Sequence, residues 1–396
     1  MRLLHTSDWH VGRNFHGRSL LADQEAVLTA IADLVVEHEI DVVLMAGDLY
    51  DRAVPSVDAI QLTTRAFRRI REAGAEIVVS TGNHDSATRL GAFAEFLAAG
   101  GLHIRSAIDQ LADPVLLADE FGEVAIYGIP YLEPDIARQV MAVPQVRGHA
   151  GVLGEAMTRI RADLADRPAA TRSVVLAHAF VIGGSATESE RCIDSVGSAE
   201  PSDALFEFKR GTVGSVPAEV FRGVDYVALG HLHRRQRIAP DIRYSGSPLP
   251  YSFSEAGPRK GCWLVDLDAE GLRDVTAIDL PVIRPLAKVA GSLTEILNGY
   301  SELRGHYLAF ELTDPERPVE PMRQLVERFP FAVKLDWQPA DRSDAGPDFQ
   351  ISRQGLPDVE LIDAFLVDSR GTGLSATEKQ LVGRALTQVR VAEAAA

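Results

Sequence analysis

The chain has 396 residues, enough for two or three domains, and its 46% hydrophobic and 24% charged content is that of a soluble globular protein. No apolar run approaches the ~20 residues of a membrane helix, and MRLLHTSDWH turns polar too early for a signal peptide, so a cytoplasmic protein without membrane contact is expected. A net charge of −16 argues against a stand-alone basic nucleic-acid binder, and two cysteines, Cys192 and Cys262, exclude a disulfide scaffold and fit a reducing compartment.

Arg2–Thr6 reads as a short strand, with Asp8 and His10 in the loop beyond it. Val27, Leu28, Ile31, Leu34 and Val35 recur at helical spacing. Residues 41–46 (DVVLMA) form a second strand ending at Gly47-Asp48. Pro55-Ser56 opens a helix that carries Ile60, Thr63, Phe67 and Ile70 on one face. Glu76–Ser80 is a third strand, ending at Gly82-Asn83-His84-Asp85. Strands alternating with helices argue an α/β domain. The polar residues collect just past strand ends, where open α/β sheets place their ligands. From Val115 the strands are expected to follow more closely, at residues 124–128, 173–177 running into His178, 226–229 and 262–267. Residues 183–215 are rich in Gly, Ser and acidic side chains and read as a mobile loop or lid.

The patterning changes after Pro281. Ser292-Leu293-Thr294-Glu295 is a capping box before a short helix. Leu308, Phe310 and Leu312 alternate as in a strand, Met322, Leu325, Val326 and Phe329 follow a helical face, and Phe331, Val333, Leu335 and Trp337 alternate again. This is a small α/β unit, followed by a polar, Gly/Pro-bearing linker. Two helices are expected beyond it, over residues 358–368 and 375–391. The second opens on the capping box Ser375-x-x-Glu378 and carries Leu381, Val382, Ala385, Leu386 and Val389 on one side. Such a tail either packs back on its own domain or docks a partner. The expected division is a main domain over 1–280, a small domain over 281–338, a linker over 339–355 and a helical segment over 356–396.

In chain order the strand ends offer Asp8-x-His10, Gly47-Asp48-Leu49-Tyr50-Asp51, Gly82-Asn83-His84-Asp85, His178 and Gly230-His231-x-His233. Any one of these alone is a weak signal, and a lone histidine reads better as an ordinary surface or core residue; five in this order on this scaffold are expected to form a site. Carboxylate oxygens with imidazole nitrogens suit Mn²⁺, Fe²⁺ or Zn²⁺, and the lack of cysteine argues against a structural zinc. Two cations about 3.5–4 Å apart need a shared carboxylate, and together they clamp an in-line displacement at phosphorus.

This pattern resembles the calcineurin-like metallophosphoesterases, whose five motifs it matches without a gap. A narrower resemblance, to the nuclease subunits of SbcCD-type DNA repair complexes, rests on HTSDWHVGR, AGDLYDRAVPS, STGNHDSATRL, GIPY (128–131), DYVALGHLHRRQ and YSGSPLPYSF (244–253). It covers nearly the whole chain. It implies a four-layer α/β/β/α sandwich with a small α/β capping domain, and C-terminal helices that grip the coiled-coil base of an SbcC-like ATPase. It also implies a homodimer of nuclease subunits acting on DNA. Residues 192–216 are longer than the family pattern.

The resemblance further implies two divalent metal ions per chain, Mn²⁺ being the expected ion. Asp8, His10, Asp48 and His233 would hold one; Asp48, Asn83, His178 and His231 would hold the other, with Asp48 bridging. His84 would stabilise the phosphorane-like state and help protonate the leaving oxygen, its ring oriented by the Asp51 carboxylate, or by Asp85. Arg13, Arg52, Arg89 and Arg234, with Arg235, crowd these loops, and guanidinium suits phosphate. The expected activity is exonuclease on duplex ends and endonuclease on single strands or hairpins. One rival is a metallophosphoesterase acting on a small nucleotide or phosphoprotein; another is a structural subunit that binds without catalysis.

Overall fold

The structure, a computed structural model, describes residues 1–187, 189–190, 214–257, 259–339, 357–370 and 372–394. Most of the expected lid, with Cys192, and residues 340–355 of the expected linker, with residue 356 of the expected helical segment, lie outside these.

Short aliphatic runs make two six-stranded sheets. The first has the order Gly271–Asp279, Gly261–Asp268, Arg2–Thr6, Val42–Ala46, Glu76–Ser80, Leu102–Arg105. Its last four strands are parallel, and the other two form an antiparallel hairpin at one edge. The second has the order Gln236–Arg237, Ile242–Tyr244, Tyr226–Gly230, Arg172–His178, Gly122–Gly128, Val115–Asp119. Its inner four strands are parallel and both edge strands antiparallel.

Alternate strand residues point to opposite faces, and this decides the layers. Leu3, Val42, Leu44 and Val78 of the first sheet pack against Val124, Ile126, Val174, Leu176 and Ala228 of the second. The intervening residues Ala125, Tyr127, Val175, Ala177 and Leu229 face a helix, Gly148–Ala165, through Val152, Ala156, Met157 and Ile160. Helices Leu21–Glu37 and Val57–Glu72 pack on each other, and the second packs on the Glu76–Ser80 strand. The result is an α/β fold with mixed sheets, layered helix, sheet, sheet, helix.

His5 falls between the sheets. Its Nδ1 lies 2.9 Å from the Tyr226 hydroxyl and its Nε2 3.1 Å from the Leu229 carbonyl. Burial pulls its pKa down to about 3, so this imidazole is a neutral tie between the layers.

One sequence expectation is corrected, and one helix is added to those expected. In Val57–Glu72, capped by Ser56, the buried face is Ala59, Leu62, Thr63, Ala66, Phe67 and Ile70, while Ile60 is 45% exposed. One residue is about 100° of helix, so Ile60 turns off the face set by Ala59. The 18-residue helix Gly148–Ala165 was not read from sequence. Gly148, Gly151 and Gly154 weaken helix propensity at its start, and only packing on the second sheet reveals its apolar stripe.

The chain divides into two compact units, Met1–Leu286 and Ala287–Ala396. In the second, a three-stranded sheet of Leu286–Gly291, Tyr307–Leu312 and Ala332–Trp337 shares a core with helices Leu293–Asn298 and Pro321–Arg328 through Val289, Ile296, Phe310, Leu325 and Phe329. The Ser292/Glu295 capping box forms as expected. Helices Asp358–Arg370 and Ala376–Ala394 pack on each other. The turn between them is held by Asp363, whose Oδ1 accepts from Leu374 N at 2.6 Å. Among the described residues no helix is long and apolar enough to cross a membrane.

The space between the two sheets is the part of the core that depends on both. Ile126→Ala, at a fully buried position there, is expected to cost about 2–5 kcal/mol in denaturant unfolding. A loss below about 1 kcal/mol would mean that the sheets close over the gap.

Candidate metal centre

The parallel strands of both sheets deliver their C-terminal ends to one crest. The loop after Arg2–Thr6 is zipped to the loop after Val42–Ala46 by Asp8 N→Gly47 O (3.0 Å), His10 N→Asp48 O (3.0 Å) and Val11 N→Leu49 O (2.9 Å). Gln24, on the first helix, braces the same loop from beneath, donating to the Trp9 and His10 carbonyls and accepting from Gly12 N. The third loop is joined to the second by Asp85, which accepts from Gly82 N, Leu49 N and Tyr50 N at 3.0–3.1 Å.

These turns are strained. Asp8 (φ +52°), His10 (+42°), Asp48 (+54°) and His231 (+104°) all lie in the left-handed half of backbone space, which non-glycine residues enter at a cost and mostly at functional sites. Two motif glycines serve close approach: a Cβ on Gly82 would collide with the Asp48 carboxylate, and one on Gly230 with the Ala46 carbonyl.

The side chains converge. Ligand atoms of Asp8, His10 and His233 lie within 4.8 Å of one another, as do those of Asp8, Asp48 and His178, and those of His10, Asp48 and His84. Asp48 Oδ2 stands 3.5 Å from His10 Nε2 and 3.3 Å from His178 Nε2, between the two groups. Asn83 Oδ1 is 3.0 Å from His178 Nε2. His231 belongs to none of the three sets: its ring meets His178 edge-on at 5.2 Å, and its backbone N–H donates to Asp8 Oδ1 at 2.9 Å.

His84 N donates to Asp48 Oδ1 at 2.8 Å, and its Nδ1 lies 2.8 Å from the Asp51 carbonyl oxygen. A carbonyl only accepts, so Nδ1 carries a proton and Nε2 is the nitrogen that can take up and return one. The orientation expected of the Asp51 carboxylate thus comes from the Asp51 backbone. The carboxylate itself faces Arg13 at 3.4 Å and His10 Nδ1 at 3.8 Å. Asp85, the other residue expected to orient the ring, holds backbone instead.

The donor set fits divalent ions. His10 Nε2 and His233 Nε2 face each other at 3.1 Å, and two acceptor lone pairs at that distance repel unless a proton or cation lies between them. Asp8 and Asp48 are both buried beside them, and unpaired buried carboxylates are costly. Burial opposes ionisation of Asp48, but His178 and His10 outweigh it and hold the pKa well below the usual range. Burial likewise opposes charge on His178, and Asp48 overcomes it, lifting His178 to about 9. Asp8 is raised by burial. Asp85 is raised to about 7, by burial and then by the Asp48 charge. His10 falls well below its usual value, and His231 falls to about 3, both chiefly through burial. The arrangement is a site for two divalent metal ions.

The arginines divide. Arg13 stacks over Tyr251 at 4.8 Å besides pairing with Asp51. Arg235 is spent on the Ile278 carbonyl and Asp279. Arg52 is 76% exposed at 3.8 Å from Asp51. Arg89 and Arg234 are exposed. Sequence reading missed Gln24, Ser7, which donates to Asp8 at 2.5 Å, and the buried Glu255 behind His233. Gln24 and Glu255 carry no local signal, since each acts through a contact that the strand-end motifs do not contain, whereas Ser7 stands next to Asp8 inside HTSDWHVGR.

Two outcomes follow from this geometry. Below pH 9 the metal-free site carries a proton on His178, which must leave before that nitrogen can bind an ion. Affinity should therefore rise with pH up to about 9 and level off beyond it. Calorimetry at pH 7.5 in two buffers of different ionisation enthalpy should show about one proton or more released on Mn²⁺ binding; zero release would contradict the His178–Asp48 pairing. Asp48→Ala, at the joint of both groups, should lose both ions by metal analysis, whereas His10→Ala should weaken mainly one.

The family model described as calcineurin-like phosphoesterase matches residues 1–235 of the 396. Among solved structures, TT1561 of Thermus thermophilus is similar at 16% identity and a TM-score of 0.39, covering 72% of this chain and 99% of that one. A dimetal phosphatase from Danio rerio is similar at 10% identity and 0.39, over 71% and 99%. GAP50, the anchor in the inner membrane complex of Plasmodium, is similar at 10% and 0.33, over 86% and 98%. The family match covers more than half of the chain and all the strand-end blocks, and it alone carries the assignment. The chain belongs to the calcineurin-like phosphoesterase family, and its crest is a metal-dependent phosphoesterase-type hydrolase site.

Proposed function

We propose that the chain is an SbcD-like nuclease subunit of an SbcCD-type complex, serving DNA repair, recombination and replication in the cytoplasm. In this reading it is Mn²⁺-dependent, an exonuclease on duplex ends and an endonuclease on single strands and hairpins. One observation carries the reading: a two-ion phosphoesterase site shares its chain with two tail helices whose apolar side chains stay exposed, Leu361 at 42%, Phe365 at 66% and Leu381 at 60%. Such side chains suit a partner's groove, and an SbcC-like ATPase is the partner we infer. Val57, Phe93 and Phe96, each at least 68% exposed, are where we infer contact between two copies.

When bound, two divalent ions supply Lewis acidity at phosphate and an acidified water at neutral pH. Asp8 and Asp48 are the two carboxylates among the ligands, so a site with two divalent ions keeps net positive charge for a phosphodiester. Asn83 adds an oxygen without adding charge. His84, its Nδ1 tied to the Asp51 carbonyl, presents Nε2 to hand a proton to the leaving oxygen.

The second reading, a metallophosphoesterase on a small nucleotide or phosphoprotein, is favoured by the arginines: Arg13 and Arg235 are already engaged within the protein. The two readings separate on purified protein with Mn²⁺, assayed on circular single-stranded DNA, linear duplex and bis(p-nitrophenyl) phosphate, with and without the ATPase. Ester turnover without DNA cleavage under any condition would favour the second.

His84→Ala is expected to keep its metals and lose roughly 10²–10⁴ in turnover; loss of an ion instead would make His84 a ligand. Asp51→Asn should leave turnover within a few-fold, because the bond to His84 comes from the backbone. Phe365→Glu with Leu381→Glu should abolish co-purification with the ATPase and keep basal single-strand cleavage. Full-strength capture of the ATPase by this variant would remove the docking role.

A further inference from the structure

Behind His233, on the side away from the other ligands, lies a buried ion pair that the reaction does not use. Glu255, 3% exposed, pairs through Oε2 with Lys260 Nζ. Lys260 Nζ also donates to the His233 carbonyl at 2.8 Å and to Ser247 Oγ at 2.9 Å. The other carboxylate oxygen, Glu255 Oε1, is 2.6 Å from Ser189 Oγ, and the same Ser189 Oγ is 2.6 Å from His233 Nδ1.

The hydroxyl of Ser189 has one hydrogen to give. Glu255 as a carboxylate can only accept, so that hydrogen goes to Oε1, and Ser189 Oγ must then accept from His233 Nδ1–H. This order of donors puts the ring proton on Nδ1 and turns the Nε2 lone pair toward His10 Nε2, 3.1 Å away, where the ligand atoms converge. The Lys260 ammonium fixes the same residue through the His233 main-chain carbonyl and neutralises Glu255. We propose that Glu255 is a positioning residue for His233, acting through Ser189 with Lys260 as counter-charge, and that it sets the affinity of the ion held by Asp8, His10, Asp48 and His233. The inference rests on the two-ion reading of the site.

The test is a two-site Mn²⁺ titration by calorimetry on full-length wild type, Ser189→Ala, Ser189→Thr and Glu255→Gln, with Tm measured without metal. Ser189→Ala keeps the buried pair intact, so it remains informative if Glu255→Gln, which strands Lys260, fails to fold. Ser189→Ala and Glu255→Gln are expected to weaken one ion about 10–100-fold, the scale for losing an outer partner of a metal histidine, and to leave the other within twofold. Ser189→Thr, which keeps the hydroxyl, should bind like wild type. Unchanged affinities in folded Ser189→Ala, or equal weakening of both ions with a lowered Tm, would overturn the proposal while leaving the two-ion site standing. A wild-type protein that binds no Mn²⁺ would remove the two-ion reading itself, and the proposal with it.

Discussion

Asp48 sets the terms for the rest of the crest. Its Oδ2 stands between His10 Nε2 at 3.5 Å and His178 Nε2 at 3.3 Å, and its Oδ1 takes the His84 N–H at 2.8 Å. A buried carboxylate costs several kcal/mol relative to water unless charge or donors answer it. Here the answer is partly internal, a proton kept on His178. It is incomplete, because Asp8 lies in the same buried pocket and is pushed toward protonation. Two carboxylates and a ring of imidazoles in one dry volume are stable together chiefly when cations sit among them. The site's chemistry is thus a consequence of its electrostatics.

Holding that carboxylate requires the backbone to bend where side chains resist bending. Four candidate ligands have positive φ, and the loops that carry them are braced by main-chain hydrogen bonds, by Asp85 and Gln24, and at His231 by its backbone N–H to Asp8. Strain of about 1–3 kcal/mol per residue persists only where the surroundings over-determine the conformation. The parallel strands supply the surroundings: neighbours run the same way, so their C-terminal ends arrive at one level and their loops can be joined. The antiparallel edge strands end elsewhere and contribute no ligand.

The same economy explains the arginines. Arg235 braces the Gly271–Asp279 strand, and Arg13 is held between Asp51 and Tyr251. Both sit beside the metal motifs in sequence, but only Arg13 touches the site, through Asp51 and Tyr251. Arg52, Arg89 and Arg234 keep exposure. On a chain of net charge −16, any hold on a polyanion has to come from local surfaces such as these, or from a partner's.

What the sequence determined by itself was whatever depends on near neighbours. Strand runs such as Arg2–Thr6 and Glu76–Ser80, the capping boxes at Ser292 and Ser375, and the blocks holding Asp8, His10, Asp48, Asn83, His178, His231 and His233 are all short-range patterns. Motif order and strand ends were enough to gather those residues into one expected site, and the family resemblance made them candidate ligands. Tertiary structure decided everything that turns on which face meets which. It left His5 as a neutral tie between sheets while His10, five residues on, joins the candidate ligands. It gave the His84 ring the backbone of Asp51 in place of its carboxylate, and turned Ile60 out of the core. It brought Glu255 and Ser189, 66 residues apart, to the back of His233. Periodicity fixes the direction of a side chain relative to its own element, but a hydrogen bond between distant loops depends on how those elements stack, and no local pattern records that.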